Sequence, residues 1–177
     1  APVKHSDDAL QSVLAGIEMN EALVDFNARQ AKLGKPEFRM GVGINYGVVT
    51  VGNIGTKTKM NYTIIGDMVN LASRLEGLTK EYRQPLLISE GLQSRVKEQV
   101  PTRLIDRVAV KGKSQGVKIF TARRNLSNAE TEAWALHNGA MELYYSRDFK
   151  GAVEGFQQVQ RILPQDFVAE LMENRCL

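Results

Sequence analysis

The chain has 177 residues, with 23 lysines and arginines against 20 aspartates and glutamates, for a net charge of +3. Its 43% apolar and 24% charged residues are those of a folded globular protein, and so weak a basic excess leaves no nucleic-acid footprint. A single cysteine, Cys176, excludes a disulfide framework and a CxxC zinc or redox site, and no apolar run approaches the ~20 residues of a membrane-spanning helix.

His5 and His137 are the only histidines, and neither stands in an HExxH pattern. The sparse cysteine usage fits a reducing compartment. The first residues, Ala1 to Asp8, lack an apolar signal core and an initiator methionine. The expectation is a chain processed or cut from something longer.

From about Asp7 to Leu33 the spacing of Leu10, Leu14, Ile17, Leu23, Val24 and Ala31 predicts an amphipathic helix, capped by Ser6 or Asp7. Gly34-Lys35-Pro36 ends it. Alternation over Phe38 to Asn45, a turn at Gly47 and the apolar residues of Val48 to Ile54 predict a β-hairpin, with Asn61 to Ile65 a third strand. A second helix is expected from Gly66-Asp67 to about Tyr82, with Asp67 as its cap and Val69, Leu71, Ala72, Leu75 and Leu78 on its apolar face. Pro85 to Ile88 reads as a buried strand, Ser89-Glu90 as the start of a short helix, and Arg103 to Val110 and Val117 to Ala122 as strands. Beyond the polar stretch at Arg124 the pattern is helical over Ala129–Tyr145, Phe149–Leu163 and Asp166–Asn174. A boundary near Arg124 divides an α+β part, residues 1–124, from an all-α tail, residues 125–177.

Two phosphate-binding patterns fail. Gly41-Val42-Gly43-Ile44-Asn45-Tyr46 has tyrosine where a dinucleotide fold needs its third glycine, so its glycines read as strand and turn residues. Gly112-Lys113-Ser114 ends like a P-loop, but Arg107 stands where the first glycine belongs. The informative stretch is Asn61 to Glu76, a strand, a sharp turn and a helix start. Thr63 offers a hydroxyl at the strand's end, and Asn70 and Arg74, four apart, share one helix face. An amide and a guanidinium so arranged can clamp ribose and phosphate oxygens, or can form a polar stripe facing solvent; spacing alone leaves both open.

The stretch resembles the catalytic domain of class III adenylyl/guanylyl cyclases. The resemblance extends through Gly41–Gly47, Val51–Gly55 and Val110–Lys113 and covers roughly residues 1 to 122. It implies a ferredoxin-like cyclase sheet whose first strands are missing. It also implies that Thr63 contacts the purine, at a position where adenylyl cyclases tend to carry Asp or Thr and guanylyl cyclases Cys. By the same resemblance Asn70 orients the ribose, Arg74 stabilises charge developing on the phosphate during ring closure, and Lys111 binds phosphate. The family uses Mg²⁺ or Mn²⁺ held by two aspartates, and its purine-selecting lysine also lies early in the domain; all are expected upstream of Ala1. Asp7 and Asp8, at a helix start, read as dipole and capping residues instead.

The implied activity is that of an adenylate cyclase converting ATP to 3′,5′-cyclic AMP and pyrophosphate. This chain is expected to form the purine-binding and transition-state side and to be inactive alone. A homodimer is implied, because the family shares its sites between two subunits. The alternatives are a cyclase-like module that binds nucleotide or a partner without catalysis, and a guanylate cyclase. In the tail, Ala152-x-x-x-Phe156 with Pro164 resembles the second helix of a tetratricopeptide repeat, whereas Leu136, Gly139 and Leu143 fit the first helix loosely. Leu143, Tyr144, Phe149, Ala152, Phe156 and Ile162 are its expected core. One repeat cannot bury its own face, so docking on the same polypeptide or its dimer mate is expected. Cys176 reads as a packing residue.

Overall fold

A computed structural model describes residues 6–56, 59–109 and 116–177. In chain order the elements are α1 (Asp8–Ala31), β1 (Val42–Ile44), β2 (Thr50–Thr56), β3 (Lys59–Ile65), α2 (Asp67–Tyr82), β4 (Leu86–Ser89), α3 (Glu90–Val96), β5 (Thr102–Val108), β6 (Val117–Ala122), α4 (Asn128–Tyr145), α5 (Phe149–Ile162) and α6 (Phe167–Cys176). The fold is mixed α+β.

The main sheet has the order β1-β4-β6-β5. β1 runs parallel to β4, with Val42 opposite Leu86 and Ile44 opposite Ile88, while β6 is antiparallel to both β4 and β5. The hairpin expected between the Phe38 and Val48 segments does not form. Only Val42–Ile44 is strand there, and its partner is β4. The hairpin is β2–β3, a separate two-stranded sheet registered from Thr50↔Ile65 to Thr56↔Lys59. A parallel pair needs a long crossover, and here the crossover consists of the hairpin and α2.

Successive side chains of β4 point to opposite faces, so one strand feeds two cores. Leu86 and Ile88 pack with Val13 and Ile17 of α1 and with Leu92 and Val96 of α3. Leu87 packs with Leu71 and Leu75 of α2 and with a cluster that continues into the tail through Met141, Phe156 and Met172. The sheet therefore lies between α1 with α3 on one side and α2 with the tail helices on the other. The far half of α1 departs from the expected stripe: Val24 is 68% exposed and Ala31 is also exposed, because the sheet that α1 covers ends near Ile17. In the tail, Ala152 and Phe156 are buried as expected, but Leu143 and Phe149 are exposed. The α4–α5 core is built on Ala140, Met141, Ala152, Phe156 and Val159, with Tyr144 and Ile162 packed at its margin, and it is continuous with the core under the sheet. Cys176 is half-buried; its S–H donates to Met172 O at 3.2 Å, and burial pushes its thiol pKa up.

A charged seam joins tail to sheet. Arg103 on β5 donates from Nη1 and Nη2 to the Asp166 carboxylate at 2.5 and 2.7 Å. Asp166 caps α6, accepting from Ala169 N at 2.8 Å. Arg103 Nη2 also donates to His137 Nδ1, whose Nε2–H donates to Leu104 O, both at 2.8 Å. The imidazole is thereby held neutral. Burial first, and the Arg103 charge second, push its pKa down to about 3. Burial alone would raise the Asp166 carboxyl, but the bonds and charge of Arg103 hold it below its usual value.

The sign for stability follows. Between the ordinary histidine value of ~6.5 and about 3, the unfolded chain binds a proton that the native chain refuses. Stability should therefore fall with pH through that window, by up to ~1.4 kcal/mol per pH unit, and Asp166 adds a loss in the same direction at more acid pH. Urea unfolding at about pH 7 and about pH 4.5 should show a lower midpoint in acid, and His137→Gln should flatten the difference. An equal midpoint at both would contradict a neutral buried imidazole.

Candidate active site

The junction of β3 and α2 turns on Gly66. Its φ of 145° and ψ of 163° lie in a region essentially reserved for glycine, which lets the strand break directly into a helix. Gly66, not Asp67, is the N-cap residue; Asp67 opens the first turn and makes no side-chain cap bond. Its carboxylate is left to act on the helix dipole, which favours negative charge there.

Leu71, Leu75, Thr79 and Tyr82 form the buried side of α2. Asn70 and Arg74, one turn apart, are exposed on the other side. Thr63 is exposed on β3, opposite Gly52 of β2. None of the three side chains has a hydrogen-bond or ion-pair partner among the described residues. Three polar groups without internal partners, on the strand and helix that meet at Gly66, are free for a ligand. Lys111 lies outside the described residues.

The seating of α2 depends on β1. A Cβ at Gly43 would lie 2.3 Å from Glu76 N and 2.4 Å from Ala72 O, and one at Gly41 would lie 2.1 Å from Thr79 Oγ1. The helix backbone thus rests directly on the strand. Asn45, just after β1, donates from Nδ2 to Met68 O at 2.9 Å and holds the first turn of α2. Sequence reading singled out neither Asn45 nor Met68, since an asparagine after a strand carries no distinctive signal. The alternating glycines did carry one, because two glycines on the same face of a strand mark a close approach.

Beside this junction the β2–β3 hairpin presents Met60, Tyr62, Ile64 and Ile65 to solvent, Tyr62 at 72% exposure. Among the described residues no group of three or more His, Cys, Asp or Glu is arranged to hold a metal ion.

The family model of the adenylate and guanylate cyclase catalytic domain matches residues 2–133. The chain belongs to that family. Adenylate cyclase 1 of Rhizobium meliloti (strain 1021) is 38% identical over 120 residues, covering 68% of this chain and 18% of that protein. The terminal-differentiation specific adenylate cyclase of Dictyostelium discoideum is 33% identical over 177 residues, covering 96% of this chain and 8% of that protein. The chain thus spans under a fifth of the length of either relative. Among solved structures, the adenylyl cyclase CyaB from P. aeruginosa superposes with a TM-score of 0.58 at 37% identity, over 68% of this chain and 62% of that one. The guanylyl cyclase Cya2 gives 0.56 at 33% identity, over 69% and 61%. The mixed sheet and its helices are therefore those of cyclase catalytic domains.

The close approach of α2 makes a prediction. Gly43→Ala should cost about 1–3 kcal/mol, because the atoms it meets are helix backbone that cannot swing aside. Gly52→Ala, with nothing within 4 Å, should change stability by less than about 0.5 kcal/mol. Denaturant midpoints of the two variants check the contrast.

Proposed function

We propose that this chain forms the purine- and phosphate-binding side of an adenylate cyclase, which closes ATP to 3′,5′-cyclic AMP with release of pyrophosphate. The observation that carries the reading is the unpartnered set Thr63, Asn70 and Arg74 flanking the Gly66 turn, in a chain of the cyclase family. In the reaction the ribose 3′-oxygen forms a bond to the α-phosphorus, the bond to pyrophosphate breaks and the 3′-hydroxyl proton is lost. Thr63 offers one donor and acceptor to the purine edge, Asn70 orients the ribose, and Arg74 meets the negative charge that grows on the phosphate. Lys111 is assigned to phosphate. Residues 1–124 carry this side of the site and residues 125–177 form the helical tail.

The reading puts the carboxylates for Mg²⁺ or Mn²⁺ outside the described residues, so no step here runs through a metal. It also gives the chain a second cyclase chain as partner, with the exposed apolar residues of the β2–β3 hairpin in support. The location is read as cytoplasmic. Thr63 favours ATP over GTP, while the likeness to guanylyl cyclase Cya2 keeps GTP as the second reading.

The test is cyclic-nucleotide production from ATP and GTP with Mn²⁺, by this chain and by the longer protein that includes the metal-binding carboxylates. Cyclic AMP from the longer protein and none from the chain alone is the expected result. Cyclic GMP as the main product would move the assignment to a guanylate cyclase. Product from the chain alone would overturn the assignment of the metal ligands elsewhere. No product from either would favour a module that binds nucleotide or a partner without catalysis. In an active protein, Asn70→Ala and Arg74→Ala should each lower kcat by about 10²–10³-fold with unchanged thermal stability, since both side chains are exposed.

A further inference from the structure

The C-terminal end of α2 and its C-cap are held at three consecutive residues, two of them directly by α6. Glu81 Oε1 lies 3.7 Å from Arg175 Nη2. The Tyr82 hydroxyl donates to Asp106 Oδ2 at 2.5 Å. The Arg83 guanidinium lies over the Phe167 ring, 4.0 Å from its centroid. Two of these partners, Arg175 and Phe167, belong to α6. The third, Asp106, is on β5 and is itself bound to α6, because Arg175 Nη1 donates to Asp106 Oδ2 at 2.5 Å. Tyr145 of α4 donates to Asp106 Oδ1 at 3.1 Å. One buried carboxylate therefore ties α2, α4 and α6 to the sheet.

The geometry requires a defect in β5. Arg103 and Asp106 are three residues apart, a spacing that sends side chains of a regular strand to opposite faces. Both nevertheless reach the tail helices, Arg103 through Asp166 and Asp106 through Arg175. The register shift between Leu104 and Asp106 inserts the extra residue that makes this possible.

We propose that Arg175 is a positioning residue for α2: through Asp106 and Tyr82, the tail fixes the angle of the helix that carries Asn70 and Arg74. The inference rests on the cyclase reading above. α2 is a short rod, with ~12 Å between Arg74 and Tyr82 at 1.5 Å per residue. Between its two ends, at Ala72 and Glu76, it bears on Gly43. A rod held on that fulcrum swings its Asn70 end when its Tyr82 end is released. A displacement of about 1 Å in a group that meets the transition state can cost 10²-fold in rate. Proton loss does not open the clamp: burial and the Asp106 carboxylate push the Tyr82 hydroxyl pKa up and keep it a neutral donor, while the contacts with Asp106 and Tyr82 together outweigh burial to raise Arg175 and keep it cationic.

The experiment uses Arg175→Met, Arg175→Lys and Tyr82→Phe, with two readouts. In this chain, hydrogen exchange of residues 67–82 should quicken in Arg175→Met and Tyr82→Phe, while β4 amides keep their protection. In the longer cyclase, Arg175→Met should lower kcat by about 10-fold or more with KM for ATP within about twofold, and Arg175→Lys should restore part of the loss. Circular dichroism and Tm of each variant keep a folding defect apart from a positioning one. A kcat loss that merely follows the unfolded fraction overturns the proposal. So does an active wild type whose Arg175→Met variant keeps its kcat, or loses it without faster exchange in α2. No cyclic nucleotide from the wild-type longer protein is a different failure, which overturns the cyclase reading and the positioning role with it.

Discussion

The contact on which the candidate site depends is that of α2 on the glycine strand. Gly43 has no side chain, so the backbone of Ala72 and Glu76 comes down onto β1 at a separation that a methyl group would block. That contact sets the height of α2 over the sheet. The Gly66 turn sets where the helix begins, and the Asp106 carboxylate sets where its other end lies. With three points fixed, the buried face of Leu71 and Leu75 has one way to pack, and Asn70 and Arg74 are turned outward. The polar residues of the site have no internal partners because their positions are determined by what lies beneath them.

The tail is joined to the sheet by polar groups as much as by apolar ones. Arg103 and Asp166 are nearly excluded from water, and breaking such a pair leaves an uncompensated buried charge. His137 completes the seam in its neutral form, accepting from Arg103 and donating to Leu104 O. Apolar packing around Phe156 and Met172 supplies area without direction, whereas these bonds select one orientation of α4 and α6 on β5. The bulge in β5 is what lets two charged residues of one strand serve the same layer.

Much of this was legible in residue order. Helix α2 and strand β6 appear at their expected positions, and α3 starts at the Ser89 cap read from its sequence. The capping box of α4, Ser127 with Glu130, was equally available as an S-x-x-E signal. The β1–β4 pairing was not legible. Alternation reports that a segment is half-buried in a sheet; it does not report which strand lies beside it, and Val42–Ile44 found its neighbour more than forty residues away. The helical stripe of α1 likewise says which side is apolar but not how far the sheet beneath it reaches, so Val24 is exposed.

For the candidate site, the sequence determined that Asn70 and Arg74 share one helix face, because helix periodicity alone puts residues four apart there. The sequence also determined the glycines that allow a close approach and the lack of a cysteine framework. Only the tertiary structure decided what approaches those glycines, that a bulge turns Asp106 toward α6, and that Tyr82 and Arg175 meet on one carboxylate. Local periodicity is written in neighbouring residues. A contact between positions 82, 106 and 175 depends on how α2, β5 and α6 settle against one another, which no local pattern encodes.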